Sequence, residues 1–131
     1  MSLGNSASPL GKVRGIGSAE EGGGHWISER VTSIALVILG VWLVVSLLLL
    51  PDLKLATVRE WLRAPSGAIP MTLLVITSFI HGLDGLKVVV DDYVDDAGNN
   101  FAVNLVLLFF AIGGAAIALF ALARIAFGGN A

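Results

Sequence analysis

The sequence predicts an all-α integral membrane protein, with three transmembrane helices behind a polar N-terminal arm. Three observations predict it. The 131 residues are 56% hydrophobic and only 14% charged, too apolar for a water-soluble domain of this size. Three apolar runs have the length of about 20 residues that a helix needs to cross a bilayer: about Val31–Leu50, Ala68–Val90 and Phe101–Phe127. Between them stand polar stretches carrying Pro, Gly and Asp, residues that end helices. The chain divides accordingly into a flexible arm, 1–24, and a three-helix anchor domain, 25–131.

The arm is rich in Gly and Ser and has no apolar stretch of the signal-peptide kind, so it reads as soluble and weakly ordered. His25-Trp26-Ile27-Ser28-Glu29-Arg30 then leads into the first span. Trp26 suits the aromatic belt of a membrane surface, and the helix begins either at a Ser28 cap or nearer Trp26. Pro51-Asp52 ends it. Residues 52–67 carry Trp61 among Lys54, Arg59, Glu60 and Arg63 and read as an amphipathic loop or a short interfacial helix. Pro65, Gly67 and Pro70 mark the entry to the second span, where a proline in the first turn is tolerated. Asp91, Asp92, Asp95 and Asp96 lie in an acidic stretch over 91–100. The third span holds Gly113-Gly114-Ala115-Ala116, a small-residue cluster suited to close helix packing.

Three spans put the arm and the 91–100 stretch on one side of the membrane and 52–67 on the other. Lys12, Arg14, Arg30 and Lys87 flank the first side; Lys54, Arg59, Arg63 and Arg124 flank the second. The positive-inside rule therefore does not orient the chain. Without cysteine there is no disulfide, thiolate metal site or cysteine-held iron-sulfur cluster. A formal charge of −2 and the lack of a basic patch argue against nucleic acid as a partner. There is no room for a soluble catalytic domain, so no catalytic residue is expected in this chain alone.

The second span carries the chemistry. His81 lies near its middle, and a histidine at bilayer depth points to proton relay, to haem ligation, or to a hydrogen bond across helices. At 100° per residue, Thr77 lies at about −40° from His81, Ser78 at about +60°, Asp84 at about −60°, Gly85 at about +40° and Asp92 at about +20°. The polar groups thus share one face. Gly82 and Gly85 flank it, where a porphyrin plane or a neighbouring helix can come close. Asp92 and Tyr93 follow about 16–18 Å along the axis, at the membrane surface. A tyrosine hydroxyl there can hydrogen-bond a carbonyl oxygen, and the adjacent aspartate can hold or pass protons. Arg30, permanently charged, can pair with Asp92, a haem propionate or a lipid phosphate. His25, before the first span, is too far from His81's depth to share one iron with it, so a bis-histidine haem would need a histidine from another chain.

The run from His81-Gly82-Leu83-Asp84-Gly85-Leu86-Lys87 to Asp91-Asp92-Tyr93 resembles the signature of the hydrophobic membrane anchor (D) subunits of succinate dehydrogenase, respiratory complex II. In that family an Asp-Tyr pair follows the histidine at this spacing. The approach His25-Trp26-Ile27-Ser28-Glu29-Arg30 is also similar, and the resemblance extends over residues 25–127.

The resemblance implies an anchor subunit of a succinate:quinone oxidoreductase. A flavoprotein subunit bearing FAD would oxidise succinate, and an iron-sulfur subunit would relay the electrons. This chain and a second membrane anchor subunit, of the cytochrome b556 type, would share a haem b and a quinone-reduction site. His81 would be one axial ligand, Tyr93 a hydrogen-bond donor to quinone and Asp92 its orienting or proton-delivering neighbour. Arg30 and His25 would lie in the vicinity of the haem propionates. The N-terminus would be cytoplasmic in a bacterial inner membrane. The alternatives are an anchor of a quinol:fumarate reductase, a haem-free structural anchor, or a small transporter using His81, Asp84 and Asp92 as a proton relay.

Overall fold

A computed structural model describes residues 20–128; most of the arm predicted over 1–24 lies outside the described residues. Four helices follow one another: α1 Glu20–Leu49, α2 Leu55–Arg63, α3 Pro65–Tyr93 and α4 Ala97–Phe127. Three of them contain segments long and apolar enough to cross a membrane: Trp26–Leu49, Pro65–Tyr93 and Ala97–Phe127. The chain is a multi-pass membrane protein, and no strand occurs among the described residues.

Each helix end has a local cause. α1 begins at Glu20, inside the stretch read from sequence as arm, and runs through Gly22-Gly23-Gly24. Each glycine costs about 1 kcal/mol in a helix interior, but extending an existing helix avoids the cost of nucleating a new one. α1 stops one residue before Leu50, whose helical conformation Pro51 disfavours. The Asp52 carboxylate then accepts from the Lys54 backbone N–H (3.1 Å) and the Thr57 hydroxyl (2.5 Å) and pairs with Lys54 Nζ at 3.1 Å. These bonds start the short helix α2 and hold the Asp52 carboxyl below its ordinary pKa, the Thr57 bond contributing most. Pro65, the first residue of α3, needs no N–H partner there. Asp96 caps α4 by accepting from the Asn99 N–H at 2.9 Å.

α3 is the central helix. α1 packs on one side of it and α4 on another, while α1 and α4 do not pack against each other among the described residues. α2 lies against α3 and α4, and Trp61 stacks on Trp42 of α1 with ring centroids 5.6 Å apart. At the α2–α3 corner Gly67 is buried, and a Cβ there would run into the Trp61 carbonyl. Between α3 and α4 the small-residue cluster has a specific use: Gly114 seats the Phe79 ring, which a Cβ would meet at 2.7 Å.

There is almost no interior. Val90 (9% exposed) and Leu122 (7%) are the buried hydrophobic side chains. Most large apolar side chains of the spans face outward, toward whatever surrounds the chain.

Candidate functional site

The α1–α3 seam holds a run of polar side chains within the membrane-spanning part. α1 offers hydroxyls one turn apart, Ser28 and Thr32, and α3 offers His81 and Asp84, also one turn apart. Because the helices are antiparallel, the two pairs meet as rungs. The Ser28 hydroxyl donates to Asp84 Oδ2 at 3.4 Å, and Thr32 Oγ1 lies 3.0 Å from His81 Nδ1. Thr32 Oγ1 also lies 2.8 Å from the Ser28 carbonyl and 3.2 Å from the Glu29 carbonyl. His81 and Asp84 are both half-buried.

His81 thus has one ring nitrogen engaged. Among the described residues Nε2 has no hydrogen-bond partner. Beside the imidazole, Ser78, Gly82 and Gly85 are exposed, and a Cβ on either glycine would meet nothing within 4 Å. The missing side chains therefore do not serve packing within this chain; they leave a smooth strip open beside His81. A shallow apolar cleft of about 220 Å³ continues from it, between Gly82 and Leu86 of α3 and Leu107 and Phe110 of α4. No cluster of three or more His, Cys, Asp or Glu that would hold a bare metal ion occurs among the described residues. One imidazole with an unpartnered nitrogen beside an open strip leaves room for a flat group to approach that nitrogen.

At the surface end, α3 runs through Asp92 and Tyr93, so both lie about 16–18 Å along the axis from His81. Asp92 is exposed and Tyr93 is 83% exposed. Their neighbour Asp91 is tied down instead. It accepts from Asn100 Nδ2 (2.9 Å) and Asn104 Nδ2 (3.5 Å), and Asn104 also donates to Asn100 Oδ1 at 2.9 Å. This network bolts the end of α3 to the start of α4.

The rungs place Thr32 level with His81 and Ser28 level with Asp84. Arg30 falls between these levels, roughly 15 Å along the axis from Asp92, and the structure does not pair the two. The Arg30 guanidinium lies over the Trp26 ring, 4.7 Å from its centroid, still exposed. The His25 side chain lies outside what is described. Ser28 and Thr32, and the asparagines that hold Asp91, were not singled out as site residues from the sequence. The available signal was the i, i+4 spacing of Ser28 and Thr32 against the i, i+3 spacing of His81 and Asp84.

Fold and seam together define a three-span membrane protein with a polar seam between its first two spans. Residues 4–123 match the family described as succinate dehydrogenase/fumarate reductase transmembrane subunit, and the chain belongs to that family. Similar proteins are succinate dehydrogenase hydrophobic membrane anchor subunits. That of Rickettsia bellii is 35% identical over 83 residues, 63% of this chain and 66% of the relative. That of Rickettsia conorii is 32% identical over 84 residues, 63% of this chain and 67% of the relative. That of Paracoccus denitrificans is 28% identical over 120 residues, 92% of each. The chain thus spans just under two thirds of the Rickettsia bellii relative's length and nearly all of the Paracoccus one.

Proposed function

We propose that this chain is a membrane anchor subunit of a succinate:quinone oxidoreductase, in which His81 provides one axial ligand to a haem b and Asp92 and Tyr93 form part of the quinone-reduction site. The observation that carries the reading is the His81 environment: Nδ1 engaged by Thr32, Nε2 without a partner, and an open glycine strip alongside. The names of the curated relatives favour succinate oxidation over fumarate reduction.

In this reading the partners are a flavoprotein subunit carrying FAD, an iron-sulfur subunit and a second anchor subunit that supplies the other haem histidine. When bound, haem b would supply a one-electron store that buffers electron flow at the quinone. This chain's own residues do the rest. His81 would be a ligand to the iron, and Gly82 and Gly85 leave the imidazole unobstructed. Arg30, exposed at nearly His81's level, offers its charge to a propionate once it turns from Trp26, with His25 about 10 Å from that level along α1. Tyr93 donates its hydroxyl to a quinone carbonyl, where a preorganised donor stabilises charge developing on oxygen. Asp92, free of the network that holds Asp91, orients that region or passes protons to it.

The test is a reduced-minus-oxidised visible spectrum of the purified complex, for wild type and His81→Ala. The expected result is a low-spin b-type α-band that the substitution abolishes while the subunits remain assembled. An unchanged band in His81→Ala would show that the ligand lies elsewhere.

A further inference from the structure

We infer that Thr32 is a positioning residue for the haem ligand: it fixes His81 as the Nδ1–H tautomer and so leaves the Nε2 lone pair free for iron. This rests on the reading of His81 given above.

The argument is a proton count. A threonine hydroxyl has one proton and two lone pairs. Thr32 Oγ1 has three neighbours: the Ser28 carbonyl at 2.8 Å, the Glu29 carbonyl at 3.2 Å and His81 Nδ1 at 3.0 Å. The carbonyls can only accept. Within a helix a threonine hydroxyl returns its proton to the carbonyl one turn back, and the shortest of the three distances is that bond. The oxygen then meets Nδ1 with a lone pair, so Nδ1 must carry hydrogen. A neutral imidazole with hydrogen on Nδ1 has its lone pair on Nε2, and that nitrogen has no partner among the described residues. The opposite tautomer would take the Thr32 proton away from both carbonyls and put hydrogen on Nε2, where no bond to iron could form.

The clamp is rigid for a local reason. Thr32 is β-branched, which restricts its side-chain rotation on a helix, and the Ser28–Asp84 rung one turn away holds α1 and α3 in the same register. A ligand histidine that donates its second N–H is oriented and made more basic. Greater basicity favours ferric over ferrous iron and lowers the haem midpoint potential.

The experiment compares Thr32→Val, which keeps the shape and deletes the hydroxyl, with Thr32→Ser, which keeps the hydroxyl. Both are made in the complex purified with its partner subunits, alongside His81→Ala. Haem content and midpoint potential are measured by redox titration of the α-band. Thr32→Val is expected to weaken haem binding about tenfold, at the low end for a lost outer-shell partner, and to raise the midpoint potential. Thr32→Ser is expected to match wild type in both. An unchanged potential in Thr32→Val overturns the proposal even if haem content falls, because loosened packing alone would do that. A serine variant as defective as the valine variant overturns it too. Where His81→Ala loses haem and Thr32→Val is silent, the positioning role alone fails. Where His81→Ala keeps its haem, the ligand assignment fails and the role of Thr32 with it.

Discussion

Asp91, Asp92 and Tyr93 are consecutive on α3, yet only Asp91 is tied into the fold, through Asn100 and Asn104. The division matters for chemistry: the anchored carboxylate fixes the helix end, and the two exposed groups keep their bonding capacity for something outside the chain. Tyr93→Phe tests this at the cost of a single hydroxyl. Losing one hydrogen bond of about 1 kcal/mol should lower kcat/KM for quinone roughly fivefold. Succinate oxidation by a soluble artificial acceptor should be untouched. Quinone turnover equal to wild type would remove Tyr93 from the site. His81, Asp92 and Tyr93 were legible in the sequence because they are chemically out of place in or beside an apolar span. Thr32 was not. A hydroxyl on a helix returns its proton to its own backbone and so attracts no notice, and its position opposite His81 depends on the register between α1 and α3, which periodicity within one helix does not encode.

At the scale of elements, the sequence marked the breaks well and the lengths poorly. Pro51 and Pro65 act at the backbone and end or start helices where they stand. The apolar runs, by contrast, report the stretch suited to lipid, whereas helices continue past it into polar territory. α1 therefore extends back to Glu20, α3 forward through Asp91-Asp92-Tyr93, and α4 back to Ala97, leaving only 94–96 of the acidic stretch as a turn. The α2–α3 corner depends on Gly67. A Cβ there meets backbone, the Trp61 carbonyl, and backbone cannot swing aside as a side chain does. Gly67→Ala should cost about 1–3 kcal/mol as an overpacking change and displace α2. The readout is thermal stability of the complex together with the near-ultraviolet circular dichroism of the stacked Trp42–Trp61 pair. Gly113→Ala, where a Cβ meets nothing within this chain, serves as the control. Equal effects from the two substitutions would refute the steric account.

For the whole molecule, the scarcity of buried side chains is the governing fact. With Val90 and Leu122 as the buried hydrophobics, three helices in a row around α3 cannot form an independent core. In lipid there is little hydrophobic force to hold helices together, so close packing and interhelical hydrogen bonds must do so. The chain supplies both along α3: Phe79 against Gly114 on one side, and the Ser28–Asp84 and Thr32–His81 rungs on the other. The outer faces are left for lipid and partner subunits. This arrangement makes a firm statement about sidedness. The turn at Asp95 lies at the Tyr93 end and α2 at the opposite end, where the Arg63 guanidinium reaches the Gly128 carbonyl at 3.4 Å. The chain contains no cysteine, so single engineered thiols report without background. Asp95→Cys and Glu60→Cys, probed with a membrane-impermeant maleimide in sealed vesicles of known orientation, should label from opposite sides. With the proposed cytoplasmic N-terminus, Asp95→Cys labels from the cytoplasmic face, the side on which Asp92 and Tyr93 would meet the iron-sulfur subunit. Labelling of both from one side would overturn the three-span topology. Labelling from opposite sides but with the faces exchanged would keep the topology and reject the orientation, putting Tyr93 out of reach of a cytoplasmic electron donor.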